Sequence, residues 1–381
     1  MILKQLSVKN FRNYSDTNLS LSPGINIFYG NNAQGKTNLL ESIYYLSFTK
    51  SHRSFIDNNL IKNGEKFLKI TGIMKDNNIF DTKLEIFLNN EKKQIFIDDN
   101  LYKKVSEYIS KLNIIIFYPE DLDIIKGSPN IRRRYINSEI SQFDENYLVV
   151  LNNFRKVQKL RNDYLKKINS FYDYDNQYLS IINDYFIKQA ILIYRLRYKF
   201  INKLNEIVPS IFFDLTKLSG FHVKYINNFN IENFDSISDQ ELTELFLEKF
   251  ERNFDSEVKI KSSMFGPHKD DIEFYLDNLN LKNYGSQGQQ RLAILSIKLA
   301  SVEILKQIKN DTPILLLDDV FSELDDEKKN HLLKYIDNNI QTIITTTDLK
   351  SIDNSIKNKS KLFEIENGNI VCEKMEVDDN E

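Results

Sequence analysis

Apolar and polar positions alternate along the N-terminal part of the chain in the way that β-strands require. Two short strands are predicted on either side of residues 10–14, and a third over Ile25–Tyr29. Between residues 67 and 97 several alternating runs are separated by turns rich in Asn and Asp, which predicts an antiparallel meander. A continuous apolar run over 112–118 predicts a buried strand that Pro119 ends.

A helical pattern replaces the alternation after about residue 128. Apolar spacing of three and four predicts long helices over 131–140, 147–168 and 178–207. The chain is then mixed, with a predicted strand at 221–226 and an acidic helix at 240–254. The order of elements beyond this point is predicted to be a helix over 292–308, a short apolar strand over 314–317 and a last strand over 341–347.

An octapeptide between the third predicted strand and the first predicted helix fits the phosphate-binding P-loop pattern G-x-x-x-x-G-K-[ST]. Backbone N–H groups of such a loop and the N-terminus of the helix behind it hold a triphosphate. Lys36 is expected to reach the β- and γ-phosphates, and the Thr37 hydroxyl to hold Mg²⁺. The predicted nucleotide-binding residues here are Gly30, Asn31, Asn32, Ala33, Gln34, Gly35, Lys36, Thr37 and Asn38.

Arg12 lies in the turn between the first two predicted strands. It either faces the bound nucleotide or is an ordinary solvated turn arginine, and residue type does not decide between the two.

A second group of candidate residues lies near the other end of the chain. Ser286 is placed to cap a helix that opens with the glycine-rich stretch 284–291. The apolar strand that follows ends in paired carboxylates, the arrangement called Walker B. Asp318 is expected to reach Mg²⁺, and Asp319 to orient or deprotonate the attacking water. Because the P-loop and these carboxylates must meet on one Mg-ATP, the helical segment between them is predicted to be an insertion that leaves the ATPase core and returns.

Composition places the chain among ordinary soluble globular proteins, with 41% apolar and 28% charged residues. A single cysteine, Cys372, excludes an internal disulfide and a cysteine-based zinc site. Neither a signal-type stretch nor a membrane-length apolar run is visible in the sequence, so a cytoplasmic protein is expected.

Charge is segregated along the chain, although the formal net charge is only −3. Residues 126–204 hold 15 Lys and Arg against 7 Asp and Glu, a net charge of +8. Such a block predicts binding to a nucleic-acid backbone, and the alternative is a solvated helical face. The candidate DNA-binding residues are Arg132, Arg133, Arg134, Arg155, Lys156 and Lys159.

The combined motifs resemble the ABC-type ATPase heads of the structural-maintenance group and, within it, the RecF family of bacterial DNA replication and repair proteins. The resemblance covers essentially the whole chain. It is carried by residues 9–14, the P-loop, 117–127 with the arginine run, 266–271, 285–291 and 317–325.

The resemblance implies an α/β fold in which a split P-loop ATPase head carries an antiparallel β lobe and an inserted helical arm. It also implies an ATP-dependent homodimer in which Ser286, Gly288 and Gln289 of one subunit cap the ATP of the other. Binding to DNA at single-strand gaps, weak DNA-dependent ATP hydrolysis, and cooperation with RecR and RecO in placing RecA on single-stranded DNA follow from the same resemblance.

The expected domains are an N-terminal part of the head over 1–125, a basic arm over 126–260, a C-terminal part of the head over 261–371 and an acidic tail over 372–381. Two features depart from ABC heads. Residues 118–121 stand where a glutamine is usual, and 345–347 stand where a switch histidine is usual. Asp319 is one methylene shorter than the usual Glu, so slow hydrolysis is expected. The alternatives are the ATPase subunit of a membrane transporter and a small-molecule phosphotransferase.

Overall fold

Two compact units make up the computed structural model, which describes residues 1–54, 56–75, 80–168, 174–336 and 340–375. The first unit combines both ends of the chain, Met1–Asp121 with Leu295–Glu381, and the second is Leu122–Ile294. Each unit is compact by itself, so the middle of the chain forms a body of its own.

The described ranges contain both strands and helices, numbered here in chain order. The strands are β1 (Ile2–Phe11), β2 (Tyr14–Ser20), β3 (Ile25–Tyr29), β4 (Phe67–Lys75), β5 (Thr82–Asn89), β6 (Lys93–Ile97), β7 (Asn100–Tyr102), β8 (Ile114–Phe117), β9 (Phe221–Ile226), β10 (Asp271–Leu276), β11 (Leu279–Asn280), β12 (Ile314–Asp318), β13 (Thr342–Thr346), β14 (Ser360–Glu366) and β15 (Asn369–Met375). The helices are α1 (Lys36–Phe48), α2 (Val105–Tyr108), α3 (Asp123–Lys126), α4 (Pro129–Phe143), α5 (Glu145–Leu165), α6 (Asn176–Thr216), α7 (Asp239–Arg252), α8 (Phe254–Ile260), α9 (Leu281–Tyr284), α10 (Gln287–Lys309), α11 (Asp326–Ile336) and α12 (Asn354–Lys357).

The first unit is built on two sheets. One is antiparallel with the order β2-β1-β4-β5-β6-β7, which confirms the predicted meander. The other has the order β15-β14-β3-β13-β12-β8, and all its neighbours are parallel except β14 and β15. A buried core of side chains from both sheets and from α1 fills this unit. The predicted fold class, an α/β head with an antiparallel lobe, is confirmed.

Register in the parallel sheet brings distant segments to one edge. Phe28 in β3 lies opposite Thr345 in β13, and Thr345 lies opposite Asp318 in β12. Because parallel strands end at the same edge, the loop after β3 and the carboxylates after β12 are neighbours there.

The last two strands depart from the sequence prediction. β14 and β15 continue the parallel sheet beyond β3, and Glu364 lies opposite Cys372 in their antiparallel pairing. The predicted tail over 372–381 is therefore ordered at its start, since Cys372 lies within β15 and residues 376–381 lie outside the described residues. Backbone pairing to β14 holds this segment despite its charged side chains.

The second unit is mainly helical, with a three-stranded antiparallel sheet of order β11-β10-β9. Its longest helix, α6, has 41 residues and continues past Pro209, beyond the predicted end at 207. The unit extends from 122 to 294, whereas the sequence placed the insertion at 126–260. The difference arises because β10, which the sequence assigned to the head, pairs with β9.

None of the helices in the described ranges is long and apolar enough to cross a membrane.

Candidate functional site

The P-loop joins β3 to α1, and its backbone adopts positive φ angles at three positions. These are 146° at Gly30, 64° at Ala33 and 117° at Gly35, the residue before α1. A Cβ on Gly30 would lie 2.3 Å from the carbonyl oxygen of Ile365 in β14, and one on Gly35 would lie 2.5 Å from Asn13 Nδ2. Backbone conformation favours glycine at both positions, and at Gly30 the nearby backbone also excludes a Cβ.

Side chains around the loop fix its shape. Gln34 Oε1 accepts a hydrogen bond from the Asn367 amide at 2.7 Å, and the Gln34 carbonyl accepts one from Asn13 Nδ2 at 3.0 Å. Asn13 Oδ1 in turn accepts from Asn38 Nδ2 at 2.9 Å. The tip of the loop, at Asn31, Asn32 and Ala33, is exposed. The loop is therefore anchored at its flanks, with its tip open to a ligand.

Lys36 folds back over the loop. Its Nζ donates to the carbonyl oxygens of Gly30 at 2.6 Å and Asn31 at 2.7 Å. Burial lowers the pKa of Lys36, while the charges of Asp319 and Asp318 act in the opposite direction. The ammonium group is thus positioned beside the open loop tip, in the place that phosphate oxygens require.

The carboxylates at the end of β12 lie beside the start of α1. Asp318 Oδ1 accepts hydrogen bonds from Thr37 Oγ1 at 2.9 Å and Thr345 Oγ1 at 2.6 Å. Thr345 Oγ1 also accepts from the Asp319 amide at 3.0 Å, and Asp319 has a φ of 54°. Burial raises the pKa of Asp318, while the hydrogen bonds from Thr345 and Thr37 act to lower it. A hydroxyl and a carboxylate oxygen at this spacing fit the few protein ligands of an Mg²⁺ ion that also binds phosphate.

Thr345 is the first of the three residues, 345–347, that stand where a switch histidine is usual. Its hydroxyl links Asp318 and Asp319, as described above. Where the sequence lacked the usual glutamine, Asp121 is buried and lies 3.5 Å from Lys298 Nζ, while the Tyr118 ring packs 4.7 Å from His52. These residues therefore have structural partners within the first unit.

Arg12 is directed at α1. It forms two hydrogen bonds to the buried carboxylate of Glu41, at 3.0 and 2.9 Å. Arg53 lies 3.5 Å from the same carboxylate and donates to Asn38 Oδ1 at 3.0 Å. Sequence reasoning missed Arg53, because it lies in an irregular segment after α1 and is linked to the P-loop only through Asn38 and Glu41.

The glycine-rich stretch begins α10 with reciprocal hydrogen bonds in the second unit. Ser286 Oγ accepts from the Gln289 amide at 3.2 Å, and Gln289 Oε1 accepts from the Ser286 amide at 2.8 Å. This S-x-x-Q arrangement is a capping box, as the predicted cap at Ser286 implied. Ser286 and Gly288 are exposed, and among the described residues a Cβ built on Gly288 meets nothing within 4 Å beyond its chain neighbours and its own helix backbone. An exposed helix start of this kind suits an anion.

Two of the predicted DNA-binding arginines have other roles. Arg132 is 5% exposed and forms a bidentate ion pair with Asp271 at 2.6 and 2.8 Å. Burial and this pair withdraw its charge from solvent, so the contact of Arg132 with DNA stays a prediction that its surroundings do not support. Arg133 donates to the Asp270 carbonyl at 2.6 Å and to Asn130. The remaining four candidates are exposed, namely Arg134, Arg155, Lys156 and Lys159.

Comparison with known families and proteins gives one consistent result. The family described as "RecF/RecN/SMC N terminal domain" matches residues 2–370. A protein of Ligilactobacillus salivarius named "DNA replication and repair protein RecF" is 38% identical over 373 residues, covering 98% of each chain. One of the same name from Streptococcus gordonii is 39% identical, covering 97% of this chain and all of the relative.

Comparison with solved structures leads to the same family as the sequence comparisons. A structure titled as the recombination mediator protein RecF-ATP in the RecFOR pathway superposes with a TM-score of 0.90 at 30% identity, covering 98% of this chain and 97% of that one. Its RecF-ATPrS counterpart gives 0.88 at 30% identity, with 97% of each chain covered. An Smc head from Pyrococcus furiosus, at a TM-score of 0.53 and 15% identity over 97% of this chain and 94% of that one, shares the fold alone.

Proposed function

Because the chain belongs to the RecF family of RecF/RecN/SMC ATPases, we propose that it is an ATP-dependent DNA-binding protein of DNA replication and recombinational repair. The observation that carries the proposal is the hydrogen bond between Thr37 Oγ1 and Asp318 Oδ1, 2.9 Å long, which joins the two halves of the nucleotide site. The relatives named above are repair proteins, so the transporter alternative has no support.

Each residue of the site has a distinct role in this proposal. ATP with Mg²⁺ supplies the transferable phosphoryl group and the charge that orients it. Thr37 and Asp318 would hold the ion, and Lys36 would leave its loop carbonyls to neutralise phosphate oxygens. Asp319 accepts a proton from, or orients, a water molecule. Its side chain is shorter than that of Glu, so we expect slow turnover that times the release of DNA.

The second subunit completes the site in this proposal. Ser286, Gly288 and Gln289 present an exposed helix start, whose N–H groups are suited to the phosphates held by the P-loop of the partner subunit. Nucleotide binding therefore drives dimerisation. Hydrolysis would split ATP with water into ADP and phosphate, and departure of the released phosphate would remove the group that both subunits contact, so the subunits would separate.

DNA and pathway proteins are the proposed partners. The exposed cations Arg134, Arg155, Lys156 and Lys159 on the second unit suit a phosphate backbone at a gap or duplex. The solved relative is described as a mediator of the RecFOR pathway. On that basis RecR is the proposed direct partner, and RecO and RecA act in the same pathway.

Ser286→Arg tests the dimer. A bulky cation at the exposed helix start blocks the approach of a second subunit, while the P-loop of each chain is unchanged. The expected result is a monomer that binds ATP with near-parental affinity, measured by light scattering and by titration calorimetry. Leu279→Arg, at another exposed position of the second unit, is the control and should still dimerise. Persistent ATP-dependent dimers of Ser286→Arg would contradict capping across subunits.

A further inference from the structure

Helices α5 and α6 of the second unit form an antiparallel pair. Tyr164 packs on Tyr178 with ring centroids 5.0 Å apart, Arg161 Nε donates to Asn183 at 2.7 Å, and Phe154 packs on Phe186 at 4.9 Å. From Tyr164 to Phe154 the residue numbers decrease along α5, whereas the contacting residues of α6 increase from Tyr178 to Phe186. Exposed side chains of α5 and α6 that border this contact therefore lie side by side on one surface formed by both helices.

An apolar stripe runs along the outer side of α6. Tyr178, Ile181, Tyr185 and Leu192 are spaced by three, four and seven residues, so they share one face of the helix. They are between 40% and 61% exposed, with Leu192 at the lower and Ile181 at the upper value. Large apolar side chains exposed in a row are a recognised mark of an interaction site.

A mixed stripe on α5 adjoins it. Lys156, Leu160, Tyr164 and Lys167 are spaced by four, four and three residues and so lie on one side of α5. Tyr164 connects the two stripes through its T-shaped contact with Tyr178. Leu160 is 47% exposed, and both lysines are exposed. The apolar stripe of α6 therefore has a basic border on its α5 side.

We propose that this surface binds an amphipathic helix of a partner protein, whose apolar side is flanked by acidic residues. The surface, here called the hairpin face, consists of Lys156, Leu160, Tyr164, Lys167, Tyr178, Ile181, Tyr185 and Leu192. The spacing on α6 is that of a coiled-coil seam with one polar position, Lys188, between Tyr185 and Leu192. Such a seam accepts the apolar side of a second helix.

Charge and side-chain type select this occupant. The exposed charges of α6 within the span, Asp184 and Lys188, cancel, so the net positive charge comes from Lys156 and Lys167 on α5. An acidic flank complements that border. Leu160, Ile181 and Leu192 offer no aromatic face to a nucleic-acid base, and the rings of Tyr164 and Tyr178 already pack on each other. The surface therefore favours a protein helix over single-stranded DNA.

Binding of designed peptides to the full chain tests the proposal. One fluorescein-labelled peptide of three heptads carries Leu at the a and d positions and Glu at the flanking positions, and its counterpart carries Lys at those flanks. Fluorescence anisotropy at physiological salt should show binding of the Glu peptide at least about tenfold tighter than of the Lys peptide. Equal affinities would overturn the proposed chemistry of the partner.

Variants locate the binding surface. Ile181→Asp places a charge in the apolar stripe and should weaken binding of the Glu peptide at least about tenfold. Leu279→Asp, an equally exposed leucine on β11, is the matched control and should leave the affinity unchanged. The double change Lys156→Glu with Lys167→Glu should reverse the preference between the two peptides. If Ile181→Asp binds the Glu peptide as well as the parent does, the hairpin face is not the site.

Two further measurements identify other occupants. An oligothymidine probe whose affinity falls about tenfold in Ile181→Asp, with peptide binding intact, would make the surface a nucleic-acid site and overturn the proposal. The second measurement is light scattering of the parent chain and of Ile181→Asp without ATP. Self-association of the parent chain that Ile181→Asp removes would assign the surface to a second copy instead.

Discussion

His52 shows how a single buried residue couples the first unit to pH. Its ring packs between Tyr44 at 4.9 Å and Tyr118 at 4.7 Å, measured between ring centroids. Both ring nitrogens are buried and have no hydrogen-bond partner among the described residues. Burial lowers the pKa of His52 to about 4, from 6.5 for an exposed histidine. The folded protein therefore holds this ring neutral where the unfolded chain binds a proton.

His52→Phe should remove the loss of stability at acidic pH that follows from the lowered pKa of His52. With a lowered folded pKa, the unfolded state binds more protons between pH 6.5 and 4, so stability is lost as the pH falls through this window. Between pH 7 and pH 5 the parent should lose about 2 kcal/mol of unfolding free energy that the variant keeps. Urea unfolding at both values measures the difference. His222→Phe controls for the ring exchange, and an equal pH response in parent and His52→Phe would refute the assignment.

At the scale of elements, the P-loop depends on a strand that was not among the elements predicted from the sequence. β14 lies behind Gly30, and the Ile365 carbonyl occupies the space where a Cβ would point. The Gly368 amide, just beyond β14, donates to the Gln34 carbonyl at 2.9 Å. The loop is therefore shaped from outside as well as by its own glycines.

Gly30→Ala should destabilise the first unit and abolish tight ATP binding. The added Cβ meets backbone at 2.3 Å and the residue must hold a φ of 146°, so the expected cost is about 2–4 kcal/mol. Urea unfolding and titration calorimetry measure the two effects. Gly64→Ala is the control, because its φ of 87° gives strain without any atom within 4 Å, and it should cost about 1 kcal/mol and keep ATP binding. Normal ATP affinity in Gly30→Ala would show that the loop does not need this packing.

On the scale of the whole molecule, a chain of net charge −3 has its main excess of cations in residues 126–204 of the second unit, whose net charge is +8. Burial then decides which of them face solvent. Arg161 is fully buried beside Glu257 at 2.6 Å, and Arg132 pairs with Asp271, so neither contributes to a surface field. Arg155 and Lys159, four residues apart on α5, remain exposed on one side of the helix.

Reversing Arg155 and Lys159 to Glu should weaken DNA binding and reduce the slope of log affinity against log salt by about 1 for each phosphate that is no longer neutralised. ATP affinity should be unchanged, because the P-loop belongs to the first unit. Anisotropy with gapped and intact duplexes at several salt concentrations measures the slope. The pair Lys259→Glu with Lys261→Glu has the same net charge change elsewhere on the second unit. If both pairs reduce the slope equally, a general charge effect explains the binding and α5 carries no site.

Contiguous motifs were readable from the sequence because their chemistry is local. Glycines that allow positive φ, a lysine and a hydroxyl at fixed spacing, and a strand ending in two carboxylates define a nucleotide site by residue type and order. The alternation of the N-terminal strands and the long helical pattern likewise predicted the head, its antiparallel lobe and an inserted helical body.

The contacts and exposure of residues whose partners are distant in the sequence were determined only by the tertiary structure. In the sequence, Arg132 cannot be distinguished from the other cations of the basic run, and only the folded structure places Asp271 beside it. β14 and β15 flank Asn367-Gly368, a local hairpin signal, but the place of β14 beside β3 depends on long-range backbone pairing. Arg53 is linked to the P-loop through Asn38 and Glu41, contacts that appear in the folded structure and not in the sequence. Sequence alone determined which chemistry the chain can perform, whereas long-range pairing and burial determined which charges remain available for it.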